Sequence, residues 1–154
     1  MKRFLLIIVA IIAFLPTLQA QTPVESLMNS FEDNKGVMHF EAKGASMSFA
    51  RHYIKKSPMG PLADNVEEVT IMIMKKASKE VKGEFLPLLR RTMQSYQFYA
   101  RETGTDGNIV EVYGSPIKNG VVHELVVYNP DNYTLFSLRG SYPVSELQKL
   151  ETKK

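Results

Sequence analysis

The side chains whose types could do chemistry are few in this sequence, and their spacing brings none of them together. A metal centre wants two ligands at a set interval, as in H-x-x-x-H, and none of His39, His52 and His123 has a second ligand so placed. The chain has no cysteine, which removes thiol nucleophiles and sulfur ligands, and it has no G-x-S-x-G elbow. Gly114-Ser115-Pro116 and Gly140-Ser141-Tyr142 put serines beside turns, where the hydroxyl serves the local backbone. Glu32-Asp33 and Glu67-Glu68 are sequence neighbours. Such pairs face opposite ways in a strand and diverge by about 100° in a helix, so they read as solvated surface. General acid–base work needs two carboxylates converging on one bond. The reading is therefore no catalytic residue, no metal site and no cofactor, with a hydrolase built from distant residues as the third-ranked alternative.

Two further stretches invite a functional reading. Arg139-Gly140-Ser141 could cradle an anion at a helix start, but it offers one glycine, and Pro143 removes a backbone donor. A mechanical role fits better: Gly140 lets the last strand turn sharply, and Pro143 presets the helix after it. Tyr96, Phe98 and Tyr99 lie near Arg90, Arg91 and Arg101, a mixture found on nucleic-acid platforms, but the low net charge favours core packing at a helix-to-strand junction. The weak candidates for a binding surface are Tyr113, Tyr128 and Tyr133, set on an uncovered face of a sheet, where tyrosine offers contact area with a polar handle. The competing reading makes all three cross-strand packing partners.

The elements that must position these residues follow from periodicity and turn chemistry. Thr22, Pro23 and Glu25 form a helix start with a capping box, followed by the stripe Val24, Leu27, Met28, Phe31. Asn34-Lys35-Gly36 ends that helix. A strand follows over Val37–Ala42, with Met38, Phe40 and Ala42 on one face. Gly44–Ser57 reads as a helix with Ser46 as cap and Met47, Ala50, Tyr53 and Ile54 on its apolar face. Ser57–Pro61 is a loop, and Val66–Lys75 is a strand covered on both faces. In the main helix, Lys79–Tyr96, Pro87 suits only a first turn, which sets the regular start near Gly83 or Glu84. The turns Thr105–Asn108, Lys118–Gly120 and Asn129–Asn132 then link strands over Gln97–Thr103, Ile109–Ser115, Val121–Tyr128 and Tyr133–Arg139. A closing helix, Val144–Leu150, turns Val144, Leu147 and Leu150 toward the sheet. The order α-β-α-β-α-β-β-β-β-α predicts an α+β two-layer domain, with a mixed, mostly antiparallel sheet of about six strands and helices on one face.

The first twenty residues read differently. Lys2 and Arg3, the apolar run Phe4–Leu15, Pro16 and Leu18-Gln19-Ala20 have the layout of a cleavable secretory signal, leaving Gln21 as the mature start. The run is shorter than the ~20 apolar residues a bilayer span requires. Nineteen Lys and Arg against sixteen Asp and Glu give a net charge of +3, and without Lys2 and Arg3 it falls to +1. That balance gives no electrostatic footprint for nucleic acid.

The exported start, the helix-strand-helix-strand opening and the tail "GNIVEVYGSPIKNGVVHELVVYNPDNYTLFSLRGSYPVSELQKL" resemble the DUF4252 proteins of bacterial envelopes. The likeness runs over the whole mature chain, and its most telling part is the last two strands, Gly140 and the helix carrying Leu147 and Leu150. The family pattern carries a capping residue such as Asp where Pro143 stands here. The resemblance implies an envelope location and brings no catalytic residues. The expected protein is one periplasmic or envelope domain, residues 21–154, without a stable membrane anchor. It is expected to be a non-enzymatic module for an envelope protein or small ligand. An accessory part of an envelope-stress or extracytoplasmic sigma-factor system is the alternative.

Overall fold

A computed structural model describes residues 21–57, 59–103 and 106–151, the side chains of 150 and 151 excepted. The expected signal segment, the Leu150 side chain and Thr105 of the first hairpin turn lie outside this description. The helices are α1 (Pro23–Phe31), α2 (Met47–Lys55), α3 (Lys79–Met93) and α4 (Val144–Glu151). The strands are β1 (Met38–Lys43), β2 (Val66–Ile73), β3 (Gln97–Thr103), β4 (Ile109–Gly114), β5 (Val121–Asn129) and β6 (Thr134–Pro143). They form one sheet in the order β1-β2-β6-β5-β4-β3, an α+β fold with the expected element order. Every pair is antiparallel, so the sheet is not mixed as expected.

Local chemistry explains most of the elements. Thr22 Oγ1 accepts from the Glu25 N–H at 3.2 Å, and Glu25 Oε2 accepts from the Thr22 N–H at 3.1 Å, a closed capping box. The whole stripe Val24, Leu27, Met28, Phe31 is buried. Ser46 does not cap α2; its hydroxyl instead bonds the N–H and C=O of Lys43. The helix α3 starts at Lys79, earlier than Pro87 suggested, because Ser78 caps it through the Val81 N–H. Pro87 and Gly83, whose carbonyl loses its donor, both face solvent, so water can satisfy that carbonyl. Gly140 sits inside β6, which runs on to Pro143, so it does not turn the strand. Its lack of a side chain lets the Asn65 backbone lie directly against it.

The helices divide between the two faces instead of covering one. Successive strand residues point to opposite faces, and Leu125 and Val126 belong to different cores. Met72, Val126 and Leu135 pack beneath α1 and α3. Val69, Leu125, Leu138 and Tyr142 pack beneath Met47 of α2, Leu62 of the 3-10 turn Gly60–Asn65 and Leu147 of α4. The apolar face of β1 is also not buried: Met38 is 44% and Phe40 55% exposed, because β1 is an edge strand.

Candidate functional site

On the α1/α3 face the sheet is wider than its cover. Two helices side by side span about 20 Å, whereas six strands at about 4.8 Å spacing need roughly 24 Å between the outermost axes. The helices sit over β2, β6 and β5, and a cleft of about 500 Å³ opens between α3 and the β4 side of the sheet. Tyr113 of β4, Tyr128 of β5 and Tyr133 of the following turn all line it. The structure thus brings the three candidate tyrosines into one place. It corrects the expectation that they stand on an uncovered face, since Tyr113 and Tyr128 project beneath α3. Nor are the first two directly opposed: Tyr113 pairs with Val126 and Tyr128 with Glu111, which leaves the tyrosines diagonal neighbours.

Each tyrosine is held differently. The Tyr113 hydroxyl donates to Glu111 Oε2 at 2.8 Å, its ring meets Phe98 edge-on at 5.5 Å, and Arg101 binds the other Glu111 oxygen at 2.7 Å. Tyr133 adopts φ +53°, and Lys82 Nζ lies 4.8 Å from the centre of its ring. The turn that presents it is braced by Asn129 Oδ1, which accepts from the N–H groups of Asp131 and Asn132. Tyr128 is only 5% exposed, and its hydroxyl is buried without a partner among the described residues. Burial, then Tyr133 and Glu111, push its pKa up to about 12, against the pull of Arg90. All of these neighbours line the cleft, as does Tyr128 itself. Leu86, Leu89 and Met93 of α3 supply an apolar wall, and Arg90 stands exposed at the rim with no ion pair among the described residues.

A second recess of about 620 Å³ lies at the other end of the same face, near the start of α1. Glu68, Arg139 and Glu124 stand in a row across β2, β6 and β5. Arg139 Nη1 is 3.3 Å from Glu25 and 3.6 Å from Glu68, so carboxylates already occupy the group that an anion would need. Glu124, 2% exposed, accepts from Ser137 Oγ at 2.6 Å, Thr22 Oγ1 at 2.7 Å and the Tyr96 hydroxyl at 2.6 Å. Turn and spacing signals do not single out this residue, although a glutamate inside the apolar run Val121–Val127 is a signal of a buried polar partner. This knot is structural: it ties the α1 cap and the end of α3 to two strands.

The remaining candidates do not converge. His39 Nδ1 lies 2.7 Å from Glu32, which is exposed, as are His52 and His123. Ser115 Oγ accepts from the backbone N–H groups of His123 and Glu124, as a turn serine should. Among the described residues, no three His, Asp or Glu side chains are grouped to hold a metal. The aromatic trio splits: Tyr96 and Tyr99 pack against opposite cores, and Phe98 is 54% exposed. No described helix is long and apolar enough to cross a membrane.

The tyrosines also set an alkaline limit. Tyr113 and Tyr128 have pKa values of about 12 in the fold, against 10.0 for a free side chain, in each case chiefly through burial. Tyr96 and Tyr142 are pushed higher still, again by burial first. The folded state holds these protons more tightly than the unfolded chain. The stability they contribute is therefore intact below about pH 10 and is lost as pH rises through about 12. Phenolate absorbance followed alongside far-ultraviolet circular dichroism should show late ionisation coinciding with unfolding. Titration of all seven tyrosines near pH 10 with the dichroism intact would contradict the burial argument.

Together these features define an α+β domain with an aromatic cleft and a structural polar knot. No protein-family model, curated protein or solved structure matches the chain at a significant level.

Proposed function

We propose that this chain is a non-enzymatic binding module, exported to the cell envelope, that takes a small amphipathic ligand in the tyrosine cleft. The observation that carries the reading is the buried hydroxyl of Tyr128, a residue that lines the cleft, which has no partner among the described residues. A buried donor left unsatisfied costs about 1–3 kcal/mol, and a ligand acceptor removes that cost. Because burial raises the Tyr128 pKa to about 12, the group is a neutral donor at ordinary pH and selects an acceptor.

The surroundings narrow the ligand further. Glu111 is neutralised by Arg101, whereas Arg90 at the rim has no carboxylate partner among the described residues, so the charge the cleft favours is negative. The tyrosine rings, Leu86, Leu89 and Met93 suit an apolar or aromatic body. An aromatic or alkyl carboxylate fits all three demands. Export is supported by Lys2-Arg3, the apolar run Phe4–Leu15 and Ala20.

The test is a titration with 4-phenylbutyrate and with its uncharged amide, read by tyrosine fluorescence, which no tryptophan obscures. The carboxylate should bind more tightly than the amide. Tyr128→Phe should weaken its binding about fivefold, the worth of one hydrogen bond, yet leave the ligand-free fold as stable or up to about 1 kcal/mol more stable. Absence of binding by both compounds, or an unchanged affinity in Tyr128→Phe, would remove the reading.

A further inference from the structure

The two edges of the sheet are not alike. β3 carries a bulge between Phe98 and Ala100 and exposes the charge of Arg101, devices that discourage pairing with another strand. β1 has neither bulge nor proline and pairs with β2 in unbroken register from Met38↔Ile73 to Lys43↔Glu68. Its side chains Met38 and Phe40 are exposed on the face that α2 shares, and α2 adds Phe49 and Tyr53, 69% and 59% exposed. The apolar side chains exposed here thus accompany an open row of backbone groups.

Hydrogen bonding shows which groups are open. The Lys43 N–H donates to Ser46 Oγ, and the Lys43 carbonyl accepts from it, so Lys43 faces away from β2. Backbone direction alternates along an antiparallel strand, which turns His39 and Glu41 outward as well. The other side of β2 agrees: the Met74 N–H donates to Tyr133 O on the β6 side, which leaves Ile71 to bond Phe40. The outward backbone groups of β1 are therefore those of His39 and Glu41, with Lys43 already satisfied locally.

We infer that β1 pairs antiparallel with β1 of a second copy of this chain about a two-fold axis at Phe40, continuing the sheet across the dimer. In this register His39 of each copy exchanges both backbone hydrogen bonds with Glu41 of the other, and their side chains, an imidazole and a carboxylate, share one face. Phe40 faces its own copy as a non-hydrogen-bonded pair, and Met38 faces Ala42. Neighbouring registers fail. Moving one step toward Lys43 sets Glu41 against Glu41 and calls on the Lys43 groups that Ser46 occupies. Moving the other way calls on the Val37 N–H, which Asn34 O already accepts. A second copy is the partner whose outward His39 and Glu41 backbone groups match this spacing and whose Glu41 carboxylate meets the His39 imidazole.

The register makes a covalent test possible, because the native chain has no cysteine. Opposed residues of a non-hydrogen-bonded pair have Cα atoms about 4.5 Å apart, within disulfide reach. Met38 lies about 14 Å from its own copy in this arrangement, well outside it. The full chain, expressed and purified with Phe40→Cys or Met38→Cys, is oxidised, and the native chain is sedimented across a wide concentration range. Both positions are exposed, so both variants should fold, as circular dichroism would confirm. The expected result is a concentration-dependent doubling of mass and at least tenfold more covalent dimer from Phe40→Cys than from Met38→Cys. A monomer at every concentration, or cross-linking at Met38 as fast as at Phe40, would overturn the inference.

Discussion

Glu124→Ala should lower the stability of the fold by about 3–5 kcal/mol. The side chain is 2% exposed and receives hydroxyl donors from Thr22, Tyr96 and Ser137, so truncation leaves several donors without an acceptor at once. It also deprives Arg139 of the carboxylate beside it in the ladder and tips the Glu68-Arg139-Glu124 row. Because Thr22 opens α1 and Tyr96 follows α3, the loss should be felt first where both helices meet the sheet. Glu124→Gln is the informative companion. Thr22 and Ser137 both donate to Oε1 and Tyr96 to Oε2, so an amide keeps the shared acceptor and misplaces only the Tyr96 bond. A loss of about 1–2 kcal/mol is expected for it. Denaturant unfolding of both variants measures the difference, and equal losses would show that charge, not hydrogen bonding, is what the knot needs.

Gly140→Ala should cost about 3 kcal/mol or more, an effect of overpacking against backbone. A Cβ at this position would run into the carbonyl oxygen of Asn65 and come within 3.2 Å of Val66 Cα. Neither can give way easily, because Asn65 Nδ2 is bonded to Ser141 O at 2.9 Å and Val66 pairs with Gly140 at the bulge in β2. The internal comparison is Gly83→Ala in α3, where an added methyl meets nothing within 4 Å. That change should stabilise the protein by about 0.5–1 kcal/mol, since glycine is the poorer helix former. Thermal unfolding of the pair should thus show opposite signs for one and the same chemical change. A harmless Gly140→Ala would mean that β6 and the 3-10 turn are not in the contact described.

Local signals carried the reading of individual elements a long way. The capping box at Thr22 and Glu25, the stripe behind it and the last two turns of the meander depend on residues close in sequence, and each is present in the fold. Where a rule of local geometry met a competing interaction, it gave way. Pro87 did not mark a first turn, because Ser78 supplied an earlier cap and the solvent side of α3 tolerates a lost hydrogen bond. Ser46 turned back to Lys43 rather than forward onto α2. Tyr113, Tyr128 and Tyr133 were found by residue type, and the structure places them in one cleft, but on the covered face.

By itself, then, the sequence determined the α+β class, the order of the elements and the meander, because hydrophobic period and turn chemistry are properties of a few adjacent residues. Only the tertiary structure decided that β6 lies between β2 and β5, that helices cover both faces and that β1 is an edge. It alone set Glu124 beneath Thr22 and Tyr96, residues 102 and 28 positions away. It also left the hydroxyl of Tyr128 without a partner among the described residues. The physical reason is that burial and hydrogen-bond satisfaction depend on which distant segments share a face, and periodicity along one segment does not contain that information.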